Sequence, residues 1–270
     1  MLGRVLSIAG SDSGGGAGIQ ADIKAVTMLG GFAMTAVTAV TVQNTLGVSA
    51  IHDIPVGIIR AQMKAVLDDL GADVIKTGML ATSEIIEAVA EELGSRDPIP
   101  LIVDPVMIAK GGASLLMDDA VDAMKQLLIP MSLLVTPNIP EAERLTGRVI
   151  RDLEDQKAAA DALLGLGCEA VLLKGGHMAS EMIFDVLATD DSIEVMMSPR
   201  IETRHTHGTG CTLASAIAAL YAQGVPLRDA VEMARDYVHE AIKTAPGFGA
   251  GHGPLNFLAG IDEEEDLLPN

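Results

Sequence analysis

The sequence predicts an α/β fold in three layers, a mainly parallel central sheet with helices on both faces. Two observations carry this. Short apolar, β-branched runs alternate with helix-length amphipathic segments throughout the 270 residues, and such alternation implies right-handed βαβ units. Of the residues, 49% are hydrophobic, yet there is no Trp and there are only two Tyr and four Phe, so the core is aliphatic and Met-rich.

The first strand is predicted over 4–9, around "VLSIA", and the amphipathic "IQADIKAVTML" gives a helix over 19–29. No charged residue occurs from Ala25 to Ile51, a run long enough to span a bilayer. It nevertheless contains Gly30-Gly31, five threonines and Gln43-Asn44, and its Val- and Thr-rich centre reads as a buried strand over 33–43. A helix over 56–70 and a strand over 72–78 follow. "TSEIIEAVAEEL" predicts the helix over 83–93: Thr82 or Ser83 caps it, acidic residues open it, and apolar residues recur at three- and four-residue steps. Strands at 100–106, 132–136 and 169–175 alternate with helices at 118–129, 139–146 and 153–166. Two strand-like runs, "MIFDVLA" and "SIEVMMS", predict an antiparallel edge within 182–204, and helices over 210–223 and, after Pro226, 227–244 close the fold. Residues 1–260 are expected to form one domain, and 261–270 an acidic, flexible tail.

The formal charge is −19, of which "DEEED" (262–266) holds five, leaving −14 on the rest. That balance excludes nucleic acid and anionic membrane as natural partners. Any phosphate site must therefore be made locally. The two cysteines, Cys168 and Cys211, lie far apart; a disulfide framework is not expected, and a reducing, cytoplasmic setting fits. The apolar run at the N-terminus is short and begins a strand, unlike a signal peptide.

Two glycine-rich turns stand out. "GSDSGGGAG" (10–18) puts five glycines in nine residues between a strand and a helix, where backbone can come close to a ligand and a helix start offers N–H groups to an anion. It has neither the G-x-G-x-x-G nor the G-x-x-x-x-G-K-[ST] spacing. "HGTGCT" (207–212) directly precedes the helix "LASAIAALYAQG". Two glycines there expose N–H groups at a helix start, where a thiol at Cys211 is expected to have its pKa lowered; the alternative is a small core cysteine beside an ordinary glycine turn. Between the turns, the ends of predicted strands carry Gly78-Met79, Asp104-Pro105-Val106-Met107, Pro137-Asn138-Ile139-Pro140-Glu141 and Lys174-Gly175-Gly176-His177. Ligands of open parallel sheets bind beyond such ends. Asp104 and Glu141 each read equally well as an ordinary helix-start carboxylate; together with a lysine on one rim they form a candidate Mg²⁺ and phosphate site. His205 and His207 form an H-x-H pair without a second ligand cluster, which does not make a metal site; Cys168, at an αβ turn, is a small core residue; His52, His239 and His252 read as surface positions.

These motifs, in this order, resemble the ribokinase superfamily and, within it, the hydroxymethylpyrimidine/phosphomethylpyrimidine kinases of thiamine biosynthesis. The matching pieces are "AGSDSGGGAGIQADIK", "TAVTVQNT", "IKTGML", "VDPVM", "TPNIPEAE", "LLKGGH" and "HGTGCTLASAIAA", spread over about residues 4–258. The resemblance implies a ribokinase-like fold and an ATP-dependent phosphotransferase. The first glycine turn would line a pyrimidine pocket, and the phosphates of ATP would sit over "HGTGC". Gly10, Ala17, Asp22, Gln43, Met79 and Val106 would contact or shape the substrate pocket. Asp104 and Glu141, with Asn138 organising, would hold Mg²⁺. Lys174 and Thr209 would meet ATP, and Gly208, Gly210 and Cys211 would complete an anion hole, with cysteine where most ribokinase relatives carry an aspartate base. Similar kinases are often dimers.

Gln43 makes chemical sense independently. A 4-aminopyrimidine edge shows a donor beside an acceptor, which a carboxamide matches with two hydrogen bonds. The implied reaction moves the γ-phosphoryl group to a hydroxymethyl oxygen and then phosphorylates the resulting monophosphate. Cysteine in place of aspartate suits the second step, because a permanent carboxylate would repel a phosphate acceptor by about 4 kcal/mol per charge pair at ~4 Å and an effective dielectric near 20. Three rival readings stand beside this one: a kinase of pyridoxal-type B6 vitamers, a non-catalytic pyrimidine-binding sensor, and a nicotinamide-dependent dehydrogenase.

Overall fold

Nine strands form one sheet among the described residues, 2–260 without 109–111, 113, 114 and 179, in a computed structural model of the chain. The expected acidic tail, 261–270, lies outside these residues. The strands are β1 (Arg4–Asp12), β2 (Phe32–Asn44), β3 (Gly47–Asp53), β4 (Val74–Thr77), β5 (Leu101–Val103), β6 (Leu134–Val135), β7 (Ala170–Leu173), β8 (Met182–Thr189) and β9 (Ile193–Pro199). Their order is β3-β2-β1-β4-β5-β6-β7-β8-β9. The block from β2 to β7 is parallel, while β3 at one edge and β8–β9 at the other run antiparallel.

The helices are α1 (Gly18–Met28), α2 (Val56–Asp69), α3 (Ser83–Gly94), α4 (Asp118–Ala123), α5 (Ile139–Thr146), α6 (Leu153–Leu164), α7 (Thr209–Ala222) and α8 (Leu227–Lys243). They divide between the two sheet faces, and the strands feed both with period two. Ile8, Ile75, Val103, Val135 and Val171 point into one core with α2–α6; Val5, Val74, Ile102, Leu134 and Leu172 point into the other with α1, α7 and α8. Each such fully buried aliphatic side chain contributes about 1.5–3 kcal/mol. Helix α7 is buried on every side from Thr212 to Leu220, the pattern of a helix inside the core.

Three differences from the sequence reading have physical causes. Strand β3 was not expected: its residues are mostly exposed, so it lacks the buried face that makes a strand legible. The helix expected over 118–129 is α4 followed by a π-turn at Met124–Leu128 and a 3₁₀ turn at Ile129–Met131, because Pro130 has no N–H to continue the ladder. Strands β4–β7 stop one to three residues early, since the chain there leaves the ladder to build the rim of the sheet.

The rim positions the site. Strand β1 has β2 on one side and β4 on the other, so the order reverses at β1, and a crevice opens beyond the carboxyl ends of β1 and β4. Among the described residues, no helix is long and apolar enough to cross a membrane.

Candidate active site

A cavity of about 740 Å³ fills that crevice and extends along the rim toward β8–β9. Gly10, Ala17, Gln43, Met79, Asp104, Val106, Asn138, Glu141, Lys174, Gly208, Thr209, Gly210 and Cys211 all line it. The structure thus brings thirteen of the fourteen expected site residues to one space.

The exception is Asp22, which does not reach the cavity. It is fully buried in α1 and accepts hydrogen bonds from Lys76 Nζ at 2.9 and 3.0 Å, from Ser7 Oγ and from Ser215 Oγ at 2.7 Å. Of the two expected roles, contacting or shaping the pocket, its burial in this ion pair leaves only the second. Burial opposes the Lys76 charge, but Asp22 foremost, with Cys211 and Asp104, holds its pKa above the ordinary value.

The first glycine turn winds around Asp12 at the end of β1. The carboxylate accepts from the N–H groups of Gly14 (2.8 Å), Gly16 (3.1 Å) and Ala17 (2.9 Å) and lies 2.8 Å from His207 Nε2. Burial works against this charge, but His207 and the backbone donors outweigh it and hold Asp12 below the usual carboxylate range. Three N–H groups that could have met an anion are therefore already used. The glycines serve close approach instead: a Cβ on Gly18 would overlap the carbonyl oxygen of Gly10, and one on Gly10 would stand 3.1 Å from Met79 Sδ.

At the far side of the crevice, Gly208 caps α7 in the left-handed region, with φ +83°. Its α-carbon packs on the carbonyl of Gly16, so the two glycine turns touch through backbone. Opposite Gly210, a Cβ would come within 3.2 Å of Lys174 Nζ and 3.6 Å of Asp104 Oδ2. The start of α7, an ammonium and a carboxylate thus share one small volume. Lys174 Nζ lies 3.2 Å from Asp104 Oδ1, which also accepts from Thr136 Oγ1 at 3.1 Å. Burial opposes the lysine charge, but Asp104 and Glu141 hold its pKa above the ordinary value.

Asn138 and Glu141 form the capping box of α5: Asn138 Oδ1 accepts from the Glu141 N–H at 2.9 Å, and Glu141 Oε2 accepts from the Asn138 N–H at 2.8 Å. Burial pushes the Glu141 carboxyl up, against the pull of Lys174 and with the push of Asp104, to about 7. Among the described residues, no cluster of three or more His, Cys, Asp or Glu side chains could hold a metal ion by itself. Two carboxylates beside a phosphate cradle are, however, the donor set that suits Mg²⁺ when substrate phosphates and water complete its shell.

Cys211 corrects an expectation. Although part of its surface opens on the cavity, burial pushes the thiol up to about 12; Lys76 and the Gly18 N–H pull it down, while Asp22 and Asp104 push it further. The thiol is therefore neutral, since the helix start is outweighed by desolvation and two carboxylates. Cys168 is buried, as expected.

The sequence reading missed three features. His207 faces Asp12 and Gln43 rather than a metal, and no local signal links residues 195 positions apart. Lys76 sits on β4 within "VIKTG", yet only the fold shows it buried against Asp22. His252 is exposed, as expected, and His239 half-buried, yet both line the cavity, as do Ile183, Pro199, Ile201 and Ile242.

Residues 12–256 match the phosphomethylpyrimidine kinase family. The chain is 50% identical over 257 residues to the hydroxymethylpyrimidine/phosphomethylpyrimidine kinase of Bacillus subtilis, covering 95% of each. It is also 50% identical over 264 residues to the thiamine biosynthesis bifunctional protein ThiED of Geobacter sulfurreducens, covering 98% of this chain and 54% of that protein. The chain thus spans about half the length of that bifunctional relative. Among solved structures, an ADP complex of Bacillus subtilis pyridoxal kinase superposes with a TM-score of 0.90 at 34% identity, covering 96% of this chain and 98% of that one.

Proposed function

The chain belongs to the phosphomethylpyrimidine kinase family, and we propose that it transfers the γ-phosphoryl group of ATP to 4-amino-5-hydroxymethyl-2-methylpyrimidine and then to the resulting monophosphate, as a step of thiamine biosynthesis. The observation that carries this reading is the backbone contact between the two glycine turns, which sets a pocket for a small acceptor directly beside a cationic helix start.

Gln43, Gly10, Ala17, Met79 and Val106 hold the pyrimidine in this reading, with the carboxamide meeting the 4-amino group and the ring nitrogen beside it. Lys174, Thr209 and the N–H groups at Gly208 and Gly210 hold the transferring phosphate. Such transfers depend on positioning and charge neutralisation far more than on covalent help from the protein. Asp104 and Glu141, the latter oriented by Asn138, would hold Mg²⁺, which would supply further charge neutralisation. Cys211 stands beside the reacting oxygen as a neutral group, which tolerates both an alcohol and a phosphate as acceptor. The apolar end of the cavity suits the adenine base. We assign the enzyme to the cytoplasm and expect it to form a homodimer.

The likeness to pyridoxal kinase gives a second reading, phosphorylation of B6 vitamers. Higher identity to the pyrimidine kinase and the donor–acceptor match of Gln43 favour the first. A sensor would need neither Lys174 nor the paired carboxylates. An assay coupling ATP consumption to the pyrimidine alcohol, its monophosphate and pyridoxal decides. The pyrimidine alcohol is expected to lead pyridoxal at least tenfold in kcat/KM; the reverse order would establish the B6 reading, and no turnover with any of them the sensor.

A further inference from the structure

Asp12, His207, Thr41 and Gln43 form a chain of polar contacts at the acceptor end of the cavity, and its proton count is restrictive. His207 Nε2 stands 2.8 Å from Asp12 Oδ2 and 3.3 Å from Gln43 Nε2 as the amide is placed, an orientation that its hydrogen-bond partners have to decide. Asp12 accepts from three backbone N–H groups, so it is an ionised acceptor, and the histidine nitrogen facing it must bear the proton. That nitrogen has no lone pair left for a second donor. At the other end, Thr41 Oγ1 lies 3.0 Å from the Ser11 carbonyl oxygen and 3.1 Å from Gln43 Oε1 as placed, so the proton count turns the amide over. Ser11 can only accept, so the single hydroxyl proton goes there, and Thr41 Oγ1 offers Gln43 a lone pair.

We propose that Asp12 and His207 are positioning residues that fix the Gln43 carboxamide with its oxygen toward the His207 N–H and its NH₂ toward Thr41. The nitrogen and oxygen ends of an amide are told apart by their partners, and here both partners require the same orientation. One lone pair and one N–H then remain on the free edge, in a set order. A ring presenting an amino group beside a ring nitrogen fits that order one way round, which fixes the direction in which its hydroxymethyl group points. The inference rests on the acceptor assignment above for its substrate and on geometry alone for its network.

Two measurements test it. In the unmodified protein, long-range ¹H–¹⁵N spectra of the histidine ring should show His207 protonated at Nε2; an unprotonated Nε2 overturns the proposal whatever the substrate. In kinetics, His207→Leu should lower kcat/KM for the 4-aminopyrimidine alcohol about 10- to 30-fold, mainly through KM, and leave the analogue lacking the amino group within about threefold. The KM for ATP should stay unchanged, and His207→Gln, which restores a donor near the same point, should recover most of the loss. Equal losses on both alcohols, or no recovery by glutamine, would reduce His207 to a tie between loops and overturn the proposal. A native protein inactive on the aminopyrimidine would instead overturn the substrate reading, leaving the spectroscopic result to judge the network.

Discussion

Gly16 and Gly208, 192 positions apart, meet so closely that the carbonyl oxygen of Gly16 occupies the space where a Cβ on Gly208 would stand. Neither glycine turn can therefore be rebuilt alone, and the proposed acceptor pocket and the proposed phosphate site are parts of one object.

Gly208→Ala is expected to combine this overlap with the left-handed φ of +83°. The backbone cost alone is roughly 1–2 kcal/mol; with the clash, we expect about 3 kcal/mol or more, some 6–12 °C in Tm for a chain of this size. Gly57→Ala, in a helix with open space around it, should instead be neutral or stabilising by up to about 1 kcal/mol. Differential scanning calorimetry of both variants gives the comparison, and similar Tm values would contradict the packing described.

Lys76→Met strands the Asp22 carboxylate in the core and should cost about 3–5 kcal/mol. Removing the carboxylate as well, in Lys76→Met/Asp22→Leu, should recover at least half of that. Urea unfolding of these two variants and of Asp22→Leu alone yields the coupling; additive losses would mean that the pair is not interacting as the geometry requires.

Asp12 gives a pH dependence whose sign follows from its depressed pKa. The native state holds the proton less tightly than the unfolded chain, so the stabilisation is present above the ordinary carboxylate value near 3.8 and is lost as pH falls through the lower, folded-state value. Asp12→Asn should be less stable than the unmodified protein at pH 6, by about 1–3 kcal/mol, and the gap should narrow as pH falls below the ordinary carboxylate value. Urea midpoints at pH 6 and pH 3 check this, and a gap that widens in acid has the wrong sign.

A thiol pushed up to about 12 is almost wholly protonated at pH 8. Iodoacetamide should label Cys211 at least about 100-fold more slowly than a free cysteine, because the thiolate is the nucleophile; mass spectrometry of tryptic peptides reads this, and comparable rates would refute a neutral thiol. Cys211→Asp should keep far more activity toward the alcohol than toward the monophosphate, whose charge a carboxylate repels. Equal loss on both acceptors would remove the explanation offered for cysteine at this position.

What the sequence disclosed follows from the range over which each signal acts. The βαβ alternation is local, and the strand-end residues Asp104, Glu141 and Lys174 fall next to the runs they terminate, so both the layers and most of the site could be read in advance. The thiol of Cys211 could not, because a helix start is visible in sequence while the carboxylates of Asp22 and Asp104 arrive from other elements. Asp22 was displaced from the pocket wall for the same reason: its partner Lys76 lies 54 residues away. Strand β3 escaped because exposed strands carry no hydrophobic period, and the chain Asp12–His207–Gln43 because it is assembled only when the two glycine turns touch.

The burial of α7 from Thr212 to Leu220 has a thermodynamic corollary. Its first turn is the proposed phosphate site, and a helix so enclosed opens only with the whole molecule, so nucleotide binding there would be linked to global unfolding instead of to a local fluctuation. A nucleotide at 100 times its Kd should raise the unfolding free energy by about 2.7 kcal/mol, and the amides of 213–220 should slow in hydrogen exchange by the matching factor of roughly one hundred.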